Sequence, residues 1–138
     1  MDYKELSKKN IGLLYKAHAS IRQSGIDTGL IALAELKTSQ LNGCAYCCSF
    51  HADELREMGI DQRLIDKIPG YRHSQSFTRE QFAVLRWAET LTLLKEDTDL
   101  ILADLMPLFD DKQIVDLTAS ISLMNALNRL RISLGDKD

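Results

Sequence analysis

The sequence predicts an all-α protein, and three observations carry that expectation. Apolar residues recur at helical spacing in the long segments, no segment alternates convincingly with period two, and Gly and Pro occur only as punctuation between the periodic runs. A chain of 138 residues, 45% hydrophobic and 27% charged, is long enough to bury a core without disulfide or metal staples. A single domain over residues 1–138 is therefore expected, built as a bundle of about six to seven helices.

Residues 2–23 place Leu6, Ile11, Leu13, Leu14, Ala17 and Ile21 at roughly helical spacing, with Ser24-Gly25 as a stop. Asp27 offers an N-cap for a second helix running to about Leu41, whose inward set is Leu30, Leu33, Ala34 and Leu41. Asn42-Gly43 ends it, because glycine takes the positive φ just past a helix without a Cβ penalty. A third helix then opens at Cys44 and reaches about Met58, with Gly59 as its breaker. Asp61 caps a short helix through Ile68, Pro69-Gly70 closes it, and residues 69–77 read as a loop. Thr78 and Gln81 form a capping box before Phe82, Leu85, Ala88 and Leu91, a helix expected to end near Lys95. A further helix from about Thr98 to Phe109, frayed by Pro107, precedes a last one that Asp110 and Gln113 start and that runs to about Leu134.

The chemistry is concentrated at the start of the third helix. All three cysteines of the chain and one of its three histidines fall between Cys44 and His51. On a helix, Cys44, Cys47, Cys48 and His51 stand at i, i+3, i+4 and i+7, which puts the thiols and an imidazole on one face. A peroxide or disulfide is attacked by thiolate, and an unperturbed thiol with a pKa of about 8.5 is mostly protonated at neutral pH. The helix N-terminus supplies partial positive charge, and His51, four residues after Cys47, supplies a base. Cys47 is therefore the expected attacking sulfur and Cys44 the resolving one, condensing with a Cys47 sulfenic acid to a disulfide before over-oxidation. Cys48 reads as a small core residue.

Zinc is a competing use of the same residues. Cys44, Cys47 and His51 provide three ligands, and His73 or Cys48 could complete four, but no second cysteine pair exists. A c-type haem needs His directly after the second cysteine, where Cys48 stands. The dithiol scheme itself requires no metal and no organic cofactor. Its electrons must come from a dithiol donor that the sequence does not name.

Net charge −3, with Lys and Arg scattered rather than striped, argues against a nucleic-acid partner. No apolar run reaches the length of a membrane span, and the first residues lack a basic and apolar leader pattern, so a cytoplasmic protein without membrane association is expected. In that compartment clustered cysteines point to catalysis or metal binding more than to a structural framework.

The stretch Ser39-Gln-Leu-Asn-Gly-Cys44-Ala-Tyr-Cys47, with His51 four residues on, resembles the core motif of the carboxymuconolactone decarboxylase family, in its AhpD-like alkylhydroperoxidase branch. Tyr71-Arg72-His73-Ser74, Phe77 through Trp87-Ala88-Glu89-Thr90, and Asn125-Ala-Leu-Asn128-Arg129 resemble later landmarks of that branch. The resemblance implies helical subunits assembling as trimers or hexamers, and reduction of small alkyl hydroperoxides, an antioxidant activity in which the second cysteine becomes the sulfenic acid. It also implies an acidic relay residue about twelve positions before the first cysteine. Ala32 occupies that position, and Glu35, one turn later on nearly the same face, is the candidate substitute. The branch usually has Glu where this chain has His73, so His73 is a second candidate for the relay, since imidazole titrates near neutrality; a solvent-facing loop histidine is the other reading. His18 reads as structural or exposed, Lys37 as a solvated surface residue, and Asn128 as a buried hydrogen-bond anchor. Two alternatives stay open beside the peroxidase or disulfide reductase: a lyase of the kind that names the family, and a non-catalytic zinc-binding or oligomeric helical module.

Overall fold

Asp27, Asp61, Thr78 and Asp110 each begin a helix in the way their side chains dictate. Asp27 accepts hydrogen bonds from the backbone N–H groups of Gly29 and Leu30, and Thr78 with Gln81 and Asp110 with Gln113 close reciprocal capping boxes. Each such cap satisfies backbone donors that the first helical turn leaves without partners, and is worth about 1 kcal/mol. The computed structural model describes residues 1–138. In chain order its elements are α1 (Tyr3–Leu6), α2 (Lys8–Arg22), α3 (Thr28–Asn42), α4 (Ala45–Glu57), α5 (Gln62–Asp66), a 3-10 turn (Ile68–His73), α6 (Arg79–Leu93), α7 (Thr98–Leu105) and α8 (Asp111–Leu134). The protein is all-helical and contains no strand.

The expected bundle of about six to seven helices is corrected to eight α-helices and a 3-10 turn. The first expected helix is broken at Ser7, whose backbone (φ −126°, ψ 49°) leaves the helical region. The break lets buried Tyr3 pack beside Arg131 and Gly135 at the end of α8, while the N-terminal amine donates to the Leu134 carbonyl at 3.1 Å. The expected loop at residues 69–77 is also corrected. Pro69 starts a helical turn rather than ending one, because Ile68 and Tyr71 insert into the core, where they are 0% and 1% exposed. The helix expected to reach Phe109 stops at Leu105, short of Pro107.

α3 is the axis of the molecule. Every residue from Ile31 to Ser39 is buried, which a helix with one inward face cannot show. It is covered by α4, α6 and α8 together. Ile31, Leu33 and Leu36 join Leu55 of α4, Val84, Leu85 and Trp87 of α6, and Leu117 and Ile121 of α8 in one continuous core, each large side chain contributing about 1.5–3 kcal/mol. Leu30 and Leu41, expected inward, are only half-buried.

The C-terminal end of α3 is held by amides. Asn42 Nδ2 donates to Asn125 Oδ1 at 2.9 Å and to Asn128 Oδ1 at 3.0 Å, and Asn128 Nδ2 donates to Ser39 Oγ at 3.0 Å. Asn128 is 0% exposed, the buried anchor that the sequence suggested, and it ties α8 to the corner where α3 gives way to α4.

Candidate active site

That corner is made by one glycine. Gly43 takes φ 71°, ψ 30°, its N–H returns to the Gln40 carbonyl, and the Cys44 N–H returns to the Ser39 carbonyl. The chain reverses there and delivers Cys44 to the N-cap of α4. Its sulfur accepts a 3.3 Å hydrogen bond from the Cys47 N–H. Cys44 and Cys47 are joined as a disulfide with their Cα atoms 5.2 Å apart. Cys44 is 1% exposed, while Cys47 is 8% exposed and forms part of a cavity wall. The two sulfurs are thus unequal: one lies behind the other, and Cys47 is the one a small molecule reaches. Cys48 is the free cysteine, half-buried against the core, and burial pushes its thiol pKa up.

The cavity measures about 210 Å³. Cys47 and His51 share its wall with Tyr46 and Phe50 of α4 and with Met124 and Leu127 of α8. Behind it, His51 Nδ1 lies 3.2 Å from Glu54 Oε1 and 3.4 Å from Glu35 Oε2. Carboxylates face Nδ1, which places that nitrogen to donate to them and leaves Nε2 as the other ring nitrogen.

Glu35 is the hub. It is 0% exposed, yet it receives Arg22 Nη2 at 2.6 Å, His18 Nε2 at 3.2 Å and Ser120 Oγ at 3.0 Å. Burial alone would push its carboxyl pKa up, but the hydrogen bonds from His18 and Arg22 and the charge of Arg22 outweigh it and hold Glu35 below the ordinary value. Glu54 behaves alike: burial opposes its charge, and bonds from His51 and Arg22 bring it down from 4.5 to about 2. The Arg22 guanidinium spans both acids, with Nη1 and Nη2 on Glu54 at 3.0 and 2.7 Å. Glu35, His51 and Glu54 bring donor atoms within 4.8 Å of one another, close enough for a metal ion. Arg22 already stands between the two carboxylates as the cation, and the cysteines of the expected zinc set are bonded to each other.

Four of the five residues singled out in the sequence are therefore brought together: Cys44, Cys47, His51 and Glu35. His73 is not. It is exposed at the end of the 3-10 turn and shares neither hydrogen bond nor cavity wall with the others. Ala32 is buried in the apolar core. Lys37, expected in solvent, is corrected: it is 4% exposed, its Nζ lies 5.1 Å from the centre of the Tyr71 ring, and burial lowers its pKa. The sequence reading missed Arg22, Glu54 and Ser120, and it left His18 without a role. Glu54 was findable, standing at i+3 from His51 on one helix face, and His18 and Arg22 share a face at i and i+4. That this face looks at Glu35 has no signal along the chain.

These features define a class: a helical bundle with a redox-spaced cysteine pair at a helix N-terminus, backed by an imidazole whose Nδ1 faces one buried and one half-buried carboxylate. The model of the carboxymuconolactone decarboxylase family matches residues 10–90, and the chain belongs to that family. An uncharacterised Bacillus subtilis protein, YdfG, is 27% identical over 139 residues, covering 99% of this chain and 95% of its own. The crystal structure of an Agrobacterium tumefaciens protein of unknown function, described as a candidate antioxidant defence protein AhpD, is similar with a TM-score of 0.90 at 26% identity, covering 100% of this chain and 98% of that one. The fold is AhpD-like over the full length of the chain, α8 included, beyond the residues that the family model matches.

Proposed function

We propose that this protein is a thiol-dependent peroxidase that reduces small organic hydroperoxides through Cys47 and Cys44. The observation that carries the reading is the disulfide between a shielded Cys44 and a cavity-lining Cys47 at the start of α4. In the reduced protein His51 Nε2 takes the Cys47 proton, and the resulting imidazolium is balanced by Glu54 and Glu35. The Cys47 thiolate attacks the terminal oxygen of the hydroperoxide, the O–O bond breaks, and the alkoxide takes the proton back from His51 to leave as alcohol. Cys47 is then a sulfenic acid. The Cys44 sulfur displaces its hydroxyl as water and forms the disulfide. A dithiol donor returns two electrons and two protons, so the balance is hydroperoxide plus dithiol to alcohol, water and donor disulfide.

The roles of His51 and Glu35 rest on their geometry, and His73 has no place in this scheme. The same chemistry without peroxide is disulfide reduction. Apolar side chains left in solvent on the first helices and on α8, among them Leu6 at 77%, Leu13 at 54% and Val115 at 65% exposed, favour a homo-oligomer. No helix is long and apolar enough to cross a membrane.

The test is titration of thiols in fully reduced protein before and after one equivalent of an organic hydroperoxide. Loss of two thiols per chain is expected in the wild type and of none beyond background in Cys47→Ser. A Cys47→Ser protein that consumes hydroperoxide at the wild-type rate overturns the assignment.

A further inference from the structure

The cavity in front of Cys47 contains a cation that the thiol chemistry does not use. Arg131, one turn past Leu127 on α8, lines it, and the side chain is 11% exposed. Its guanidinium carbon sits 3.9 Å from the centre of the Tyr46 ring. A guanidinium carries five N–H donors and stays charged, so a buried one ordinarily satisfies them on carboxylates or carbonyls. The Arg131 guanidinium donates no hydrogen bond to any group of the chain, and its nearest acid, Asp136, is 3.9 Å away with a side chain 88% exposed. Lys4 stands at the same cavity, its Nζ 4.9 Å from the Tyr15 ring centre. Met124, Leu127, Phe50 and the face of Tyr46 make the remaining wall apolar.

Resting on the peroxidase reading, we infer that the preferred substrate is a compact apolar hydroperoxide that carries a carboxylate, and that Arg131 is the residue selecting it. A planar guanidinium seated over the Tyr46 ring, with its N–H edge unclaimed, matches a carboxylate in two parallel hydrogen bonds. Arg131, Tyr46 and Cys47 line the same cavity, so the anion is held in the space that the reacting sulfur faces. The apolar wall takes the hydrocarbon body, and a cavity of about 210 Å³ is small beside ligand sites of about 300–1,000 Å³, which favours a short body over a long chain. The reaction is unchanged: the terminal oxygen passes to Cys47, and a hydroxy acid leaves with its carboxylate intact and the proton from His51.

The experiment compares 4-hydroperoxy-4-methylpentanoic acid with its methyl ester as oxidants of the pre-reduced protein at low ionic strength, reading second-order rate constants by quenched-flow thiol titration. The wild type is expected to react at least tenfold faster with the acid. In Arg131→Gln the ratio of acid to ester falls to about one, and in Arg131→Lys, which keeps charge but not the fork, it falls at least threefold. Reaction with both oxidants at equal rates in the wild type, or a ratio undiminished in Arg131→Gln or in Arg131→Lys, overturns the inference and leaves the peroxidase reading standing. Reaction with neither removes both.

Discussion

His51 of α4 aims its Nδ1 at Glu35 of α3, 3.4 Å from Oε2. Sixteen residues and a chain reversal separate the two in sequence, so the contact exists only because Gly43 folds α4 back along α3. Glu35 in turn is kept ionised by Arg22 and His18, which makes it a fixed negative charge behind the imidazole rather than a group that trades protons itself.

Replacing that charge has a kinetic consequence. Glu35→Gln keeps the volume but removes the counter-charge to the imidazolium, and oxidation of Cys47 by hydroperoxide is expected to slow by about 10–100-fold, part of the effect of a positioned general base. Stopped-flow rates across pH 5–9 check it. A positioning role changes the shape of the pH profile, whereas a purely structural lesion scales the whole profile down.

Arg22 has the opposite charge and a mainly structural burden. In Arg22→Ala both Glu35 and Glu54 lose the guanidinium that spans them, and buried Glu35 keeps only His18, His51 and Ser120 as partners. Breaking a buried pair in this way costs about 3–5 kcal/mol. Urea unfolding should show that loss as a lower midpoint with an unchanged slope, and a change below 1 kcal/mol would mean that the network reorganises around another cation.

Acid should undo the same network. Glu54 is depressed from 4.5 to about 2 and Glu35 is also lowered, so the unfolded chain binds protons that the folded chain refuses. Their contribution to stability is whole above about pH 4.5 and drains away as pH falls toward 2. Thermal midpoints measured from pH 7 to pH 3 should therefore drop mainly below pH 4.5, and Glu54→Gln should flatten that drop.

A prediction away from the site concerns the end of α6. Leu94 closes the helix with φ 52°, ψ 36° and is 70% exposed. A left-handed backbone costs a non-glycine residue roughly 1–2 kcal/mol, part of which returns as glycine's larger unfolded-state entropy. Leu94→Gly is expected to stabilise the protein by about 0.5–1 kcal/mol, read as a higher melting temperature with unaltered thiol reactivity.

The sequence by itself determined the helical class, most helix starts and the thiol site, because each is written in neighbouring residues. Capping needs Asp27, Thr78 or Asp110 only within three positions of its partner, and the corner at Gly43, the pair Cys44–Cys47 and the placing of His51 all follow from one helical turn. Tertiary structure alone decided what surrounds that turn. It made α3 buried on every side, which its apolar pattern does not announce. It carried Lys37 into the interior and left His73 outside the site. It also surrounded Glu35 with Arg22, Ser120 and His51 from three other helices, while Ala32 lies in the apolar core. A buried carboxylate is tolerable only where such partners converge, and convergence is a property of packing, for which the order of residues along the chain carries no local sign.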